Sequence, residues 1–193
     1  MKKLFILISF LSISSYAQNS FFIDKKGKKT IMSDQTVEII VIDERISYAE
    51  VDKTWEKYIK FKDLDYAIIG PHLFRSYKLL NMRGKPERER AFFVMVETKE
   101  RTLLCYTYTV IGKYSSIDHY NIKVIDSKNN ILDYVNCNST KSDKEERMKI
   151  MPMLEKYFSD CPGIMNQFSK DETDEYFFNV LEPFTSPKYT NCN

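Results

Sequence analysis

Several stretches of the chain are spaced as β-strands, some alternating apolar and polar residues at a period of two, and a change to a helical spacing follows Asn138 to Asp143 towards the C-terminus. The clearest strands flank Glu97-Thr98-Lys99-Glu100-Arg101, with Ala91-Phe92-Phe93-Val94-Met95-Val96 before it and Thr102 to Ile111 after it. Both arms are rich in β-branched and aromatic side chains, which suit a pleated surface. The polar centre lacks the Asn-Gly or Asp-Gly pair of a two-residue turn, so a hairpin with a loop of three to five residues is predicted. The first arm is apolar on both faces and is expected to be a central strand. In the second arm, Leu104, Tyr106, Tyr108 and Val110 share one face, while Leu103, Cys105, Thr107, Thr109 and Ile111 share the other. That second face is more polar and is expected nearer solvent.

Similar signals recur on both sides of this hairpin. Ser20 to Asp24 and Lys28 to Ser33 enclose Lys25-Lys26-Gly27 as a first hairpin, and Thr36 to Ile42 reads as a strand. Leu64 to Ile69 and Leu73 to Leu80 flank Gly70-Pro71, and the charged stretch Asn81 to Arg90, with Gly84 and Pro86, is expected to be a long exposed loop. Tyr120 to Val124 and Ile131 to Val135 form a further hairpin around Ser127-Lys128-Asn129-Asn130, with one wet face. Residues 47–60 admit two readings. Ser47 with Glu50 fits a capping box, Ile46 with Val51 fits a hydrophobic staple, and Val51, Trp55, Tyr58 and Ile59 fall on one helical face. The rival is a pair of strands turning near Asp52-Lys53. The helix is slightly favoured.

After the polar run Asn138 to Asp143, the residues Met148, Ile150, Met151, Leu154, Tyr157 and Phe158 follow a helical stripe. Pro152 is expected to kink this helix or to start a second segment. Pro162 suits the first turn of another short helix, and Asp171 to Leu181 offers a last one. Strands followed by helices predict an α+β fold: an antiparallel meander of hairpins, open or curled, covered on one face by C-terminal helices.

The first residues change the picture. Met1-Lys2-Lys3 is a basic start, Leu4 to Ile13 an apolar run, and Ser14-Ser15-Tyr16-Ala17 a small-residue exit. This is the pattern of a secretory signal peptide cleaved between Ala17 and Gln18. No cysteine follows it before Cys105, so a lipoprotein anchor is not expected, and no later stretch is apolar enough for a membrane helix. The expected organisation is a signal peptide over 1–17 and a single exported domain over 18–193, periplasmic or extracellular. Cleavage leaves 27 of the 29 basic residues against 27 acidic ones. That balance does not call for nucleic acid as a partner.

All four cysteines, Cys105, Cys137, Cys161 and Cys192, lie in the exported part, and four allow three pairings. A Cys137–Cys161 bridge would staple a helix to the sheet. Cys192 is placed to tie the C-terminus onto Cys105, unless Cys105 is a buried free thiol. No CxxC spacing indicates a zinc or redox site.

Candidate chemistry is sparse. The two histidines, His72 and His119, accompany no G-x-S-x-G elbow and no metal-ligand spacing. Met148, Met151 and Met153 resemble a soft copper site in spacing, but methionines beside Ile150 and Leu154 ordinarily fill a core. The acids Asp171, Glu172, Asp174 and Glu175, and Asp63 with Asp65, have the composition of a carboxylate hydrolase site, yet the first group also suits a helix start. No catalytic residue, metal or cofactor is assigned. The mixed-charge loop Lys85 to Arg90 reads as solvated.

The Lys2-Lys3 start, the aromatic- and Lys-rich composition and the Tyr16-Ala17-Gln18 junction resemble exported proteins of Bacteroidota. Phe61-Lys62-Asp63-Leu64-Asp65-Tyr66 and Tyr157-Phe158-Ser159-Asp160-Cys161-Pro162 resemble segments of small secreted proteins of that group. The resemblance implies an exported address and strands followed by a helix ending in Cys-Pro, with no catalytic residue to transfer. The resulting expectation is a non-enzymatic module that binds a ligand or an envelope protein through the sheet, at Tyr106 and Tyr108, or through the Asn81–Arg90 loop. The alternatives are an exported glycan-type hydrolase and a carrier of a small apolar ligand.

Overall fold

A computed structural model of the chain describes residues 20–168 and 180–192. The expected signal peptide and most of the expected helix from Asp171, with its acids, lie outside the described residues. The strands are β1 (Phe21–Asp24), β2 (Lys29–Ile31), β3 (Glu38–Ile40), β4 (Arg45–Tyr48), β5 (Lys57–Lys60), β6 (Leu64–Ile69), β7 (His72–Tyr77), β8 (Arg90–Glu97), β9 (Arg101–Ile111), β10 (Ser116–Asp126) and β11 (Ile131–Asn138). Short helices follow: α1 (Lys144–Arg147), α2 (Ile150–Phe158), α3 (Pro162–Met165) and α4 (Glu182–Thr185). The strands form an eight-stranded sheet in the order β11-β10-β9-β8-β7-β6-β1-β2 and a three-stranded sheet, β3-β4-β5, with antiparallel pairing throughout. The fold is therefore α+β in the broad sense, mainly antiparallel sheet with short helices near the C-terminus.

Register defines the two faces of the large sheet. Phe22, Ala67, Phe74, Phe93, Cys105, Ile122 and Val135 are successive cross-strand partners and share one face. Phe21, Ile68, Leu73, Val94, Leu104, Lys123 and Tyr134 share the other. On the first face the packing is divided. Phe22, Ala67, Phe74 and Ala91 cluster with Ile46, Tyr48 and Ile59 of the small sheet. Cys105, Ile122 and Val135 cluster with Ile150, Leu154 and Phe158 of α2 and with Ile164 of α3. The expectation had no second sheet.

The predicted hairpin forms between β8 and β9, with Thr98, Lys99 and Glu100 as its loop and the Thr98 amide donating to the Arg101 carbonyl at 2.9 Å. The exposure expected for the more polar face of β9 is corrected: Leu103 and Cys105 are fully buried, as is Leu104 opposite. Burial on β9 changes along its length instead. Residues 102–105 are buried on both faces, whereas residues 108–111 are exposed on both, because β8 begins at Arg90 and only β10 accompanies β9 beyond it.

Residues 47–60 are two strands, which corrects the helix. Ile46 stands opposite Ile59 in the β4–β5 pair, and both are buried against the large sheet. Asp52 turns the chain with φ +64°. Trp55 and Tyr58, assigned to a buried helical face, are exposed. The apolar residues fit both periods, and contact with Phe22 and Phe74 decides for the strand.

Residues 78–89 do form a long loop with mostly exposed side chains, but it is tied to the sheet. Leu79 is buried with Phe92, Leu104 and Ile131. The Leu80 amide donates to the Asn129 carbonyl at 2.9 Å, and Glu87 pairs with Lys123 at 2.7 Å.

Pro152 lies in the first turn of α2, and the helical stripe breaks before it as expected. Met151 and Met153 are core residues beside Ile150 and Leu154, while Met148 is half exposed. Pro162 begins α3. The C-terminal segment then returns to the sheet, where the Thr190 amide donates to the carbonyl of Met95, the bulged residue of β8, at 2.7 Å. A β-carbon added at Gly163 would stand 2.8 Å from the Asn191 carbonyl oxygen, so the segment and α3 are in backbone contact.

Cys161 is bonded to Cys192, with Cα atoms 4.8 Å apart. The expected Cys137–Cys161 bridge does not form, nor does a Cys105–Cys192 bridge. Cys105 and Cys137 are buried free thiols. They lie on β9 and β11 with β10 between them, and two strand spacings are about 10 Å, beyond disulfide reach. Burial, and then the Asp143 charge, push the Cys137 thiol up to about 12, and burial raises Cys105 further. Since the thiolate is the reactive form, neither should react with N-ethylmaleimide in the folded protein, and both should after unfolding in guanidinium. Mass spectrometry counts the adducts, and rapid labelling of the folded chain at either cysteine would contradict this packing.

Candidate functional site

A cleft lies where the β1–β2 turn meets the end of β5. It has a volume of about 610 Å³ and is lined by residues including Lys26, Lys28, Lys60, Lys62, Tyr48 and Tyr58. Local sequence holds each lysine in place. In the β1–β2 turn the Asp24 carboxylate accepts the amides of Lys26 and Lys28, each at 2.9 Å, and Gly27 supplies the φ of +81° that the reversal needs. The side chains of Lys26 and Lys28 are thereby left in solvent. On the other wall Ile59 and Phe61 are buried, so the intervening Lys60 and the following Lys62 point outward. Phe61 is fixed by its own amide, which donates to the Glu44 carbonyl at 2.8 Å, and by its carbonyl, which accepts the Ser76 hydroxyl at 2.5 Å. The two walls are joined by the Lys25 amide donating to the Asp63 carbonyl at 2.9 Å.

The cleft is cationic. Lys25 is paired with Glu89, but Lys26, Lys28, Lys60 and Lys62 have no ion-pair partner among the described residues. Asp24 and Asp63 also line it; the first is engaged by the turn amides. Burial, and then the Glu50 charge, raise the Tyr48 phenol above its usual range. Tyr48 therefore remains a neutral hydrogen-bonding group beside the ammonium groups.

Tyr106 and Tyr108, the sequence-predicted ligand residues, lie elsewhere, on the second face of the sheet. They continue an aromatic row in which Tyr77, Phe92, Tyr106, Tyr108 and His119 follow one another with ring centroids 6.4, 5.9, 5.9 and 4.9 Å apart. Tyr106 is half-buried, with burial raising its phenol while the Arg90 guanidinium over its ring acts in the opposite sense. Tyr108 is exposed and stacks flat on His119. His72 is removed from this row and its Nδ1 lies 2.7 Å from the Pro187 carbonyl. The described residues contain no group of three or more His, Cys, Asp or Glu side chains placed to hold a metal ion. None of the described helices is long and apolar enough to cross a membrane.

Sequence reasoning read Lys25-Lys26-Gly27 only as a turn. The usable signal was the run Lys25-Lys26-Gly27-Lys28-Lys29, which places four lysines around one reversal, but nothing in the sequence joined it to Lys60 and Lys62. Comparison of the chain with protein-family models, with curated proteins and with solved structures gives no match.

Proposed function

We propose that the chain is an exported, non-enzymatic binding module of the cell envelope or exterior, and that its ligand is an anion seated in the lysine cleft. The observation that carries this reading is the convergence of Lys26, Lys28, Lys60 and Lys62, from two separate parts of the chain, on one cleft. Like charges held on one rim repel each other, and a bound anion relieves that repulsion. Tyr48 and Tyr58 add ring surface and hydroxyl groups to the same walls. Export is supported by the N-terminal pattern and by the Cys161–Cys192 bond, which suits an oxidising compartment.

Inorganic tripolyphosphate is a suitable probe, titrated calorimetrically into the folded chain. Binding is expected at about 20 mM salt and should weaken at least roughly tenfold at about 200 mM, because exposed charges are screened. Lys60→Ala/Lys62→Ala should weaken it about tenfold. Lys99→Ala, in the β8–β9 loop at the far end of the sheet, should leave it unchanged. Absence of binding at low salt, or an equal loss in Lys99→Ala, would refute the cleft as the site.

A further inference from the structure

The lysine cleft does not stand alone. In the antiparallel register, the start of β6, the end of β7, the start of β8 and the end of β9 all lie at one end of the large sheet, and the β1–β2 turn, paired through Asp24 to Leu64, lies there too. The β9–β10 hairpin projects past this end. Arg90, the first residue of β8, falls level with Tyr108, and the arm runs on to Ile111 before turning, which extends it by about 10 Å.

The three most exposed large apolar side chains among the described residues are Ile42 at 82%, Ile111 at 84% and Tyr114 at 88%. Ile111 and Tyr114 are at the tip of the projecting arm. Ile42 lies between the arm and the lysines. It lines a cleft with Lys60, Lys62 and Arg88, and also a groove with Tyr108 and Thr109. The surface from lysines to arm tip is therefore continuous. Of the acids near it, Glu89 pairs with Lys25, Glu44 with Arg88 and Asp43 with Arg45, the Asp24 carboxylate is taken up by the turn amides and the Asp118 carboxylate accepts the Thr109 hydroxyl, while Asp63 and Glu38 remain without an ion-pair partner among the described residues. Lys113, at the arm tip beside Tyr114, has no ion-pair partner among the described residues. The opposite end of the sheet differs. Its turns, Gly70-Pro71, 98–100 and 127–130, carry no exposed large apolar side chain.

We propose that this end of the molecule docks on an anionic membrane surface, with Lys26, Lys28, Lys60 and Lys62 at the lipid phosphates and Ile42, Ile111 and Tyr114 entering the headgroup layer. The charge part rests on the cleft reading above; the apolar arm is independent of it. Exposed apolar side chains at a projecting tip are unfavourable in water and favourable at the boundary of the acyl chains. An aromatic ring with a neighbouring lysine suits that boundary, because the ring has an amphipathic place there and the ammonium group stays with the phosphates. The lysines add attraction that depends on anionic lipid and falls off within a Debye length. An acidic protein partner would meet the lysines equally well, but it offers no reason for three exposed large apolar side chains, two of them on one projecting arm, beside those lysines.

The test is sedimentation of the full folded chain with vesicles of phosphatidylcholine, with and without about one quarter phosphatidylglycerol. Binding to the anionic vesicles is expected, at least about tenfold weaker without the anionic lipid and about tenfold weaker in Ile111→Ser/Tyr114→Ser. Both residues are exposed at the arm tip, so the variant should keep the wild-type melting curve and full tripolyphosphate binding. In Tyr114→Trp/Trp55→Phe, tryptophan emission should shift to the blue on anionic vesicles. Binding unaffected by the arm variant, or no blue shift, would overturn membrane docking while leaving the cleft as a site for free anions. Loss of tripolyphosphate binding in the wild type would refute the cleft reading itself, and vesicle binding that persists would then rest on the arm alone and overturn the lysine placement.

Discussion

Replacing Cys192 with alanine should lower the stability of the folded chain by about 3–4 kcal/mol, with a fall in Tm of roughly 10 °C. The bond links positions 31 residues apart, and a loop of that length removes considerable freedom from the unfolded chain. Reduction of the wild type should give the same loss. The folded segment has other anchors: Thr190 donates to Met95, Gln167 to Thr190, and the Pro187 carbonyl faces His72. The reduced protein should therefore remain folded in mild conditions, with the loss appearing as a lower denaturation midpoint. Denaturant titration with and without reductant measures it, and peptide mapping under non-reducing conditions identifies the pair. A Cys137–Cys161 fragment, or a midpoint unmoved by reductant, would contradict the structure.

Phe74→Ala should be at least as costly, about 3–5 kcal/mol. Phe74 is 1% exposed, on the face shared with the small sheet. Its ring makes edge contacts with Phe61 at 5.2 Å and Phe93 at 5.0 Å. Alanine removes the transfer energy of a buried ring and leaves a cavity that Ile46, Ile59 and Ala67 are too fixed to fill. Phe74→Leu, which keeps most of the volume, should cost about 1–2 kcal/mol. Because Phe61 positions Lys60 and Lys62, Phe74→Ala should also weaken tripolyphosphate binding at temperatures where the variant is still folded. A loss of under 1 kcal/mol in Phe74→Ala would mean that the small sheet does not pack on the large one.

The two largest effects come from features of unequal legibility. The strand containing Phe74 was evident from its alternation and from Gly70-Pro71 beside it. The partner of that strand on the first face was not. Val51, Trp55, Tyr58 and Ile59 fall on one helical face, whereas Ile46 and Ile59 meet only across a hairpin, and over so short a span the local spacing does not choose between the two. The disulfide was hidden for another reason. Loop closure favours no one pairing strongly, and the pairing depends on which Cα atoms the fold brings within reach.

The site follows the same division. Tyr106 and Tyr108 stood out because they alternate in a conspicuous strand, and the structure sets them in a row of rings, with Tyr108 also on the wall of the groove beside Ile42. The lysines belong to a turn, a strand end and a short helical turn, about 35 residues apart, and each is unremarkable alone. Their grouping with Ile42 and the β9–β10 arm exists only after β1 pairs with β6 and the small sheet folds over Phe74.

The sequence by itself determined the reversals at Lys25–Gly27, Gly70-Pro71, Thr98–Glu100 and Ser127–Asn130, the change to helix before Pro152 and the start of α3, because local periodicity and turn chemistry act within a few residues. Only the tertiary structure decided the second sheet, the Cys161–Cys192 bond, the burial of Cys105 and the cationic end of the molecule. Each of these depends on contacts between distant segments, and burial and charge density are properties of the surface that those contacts create.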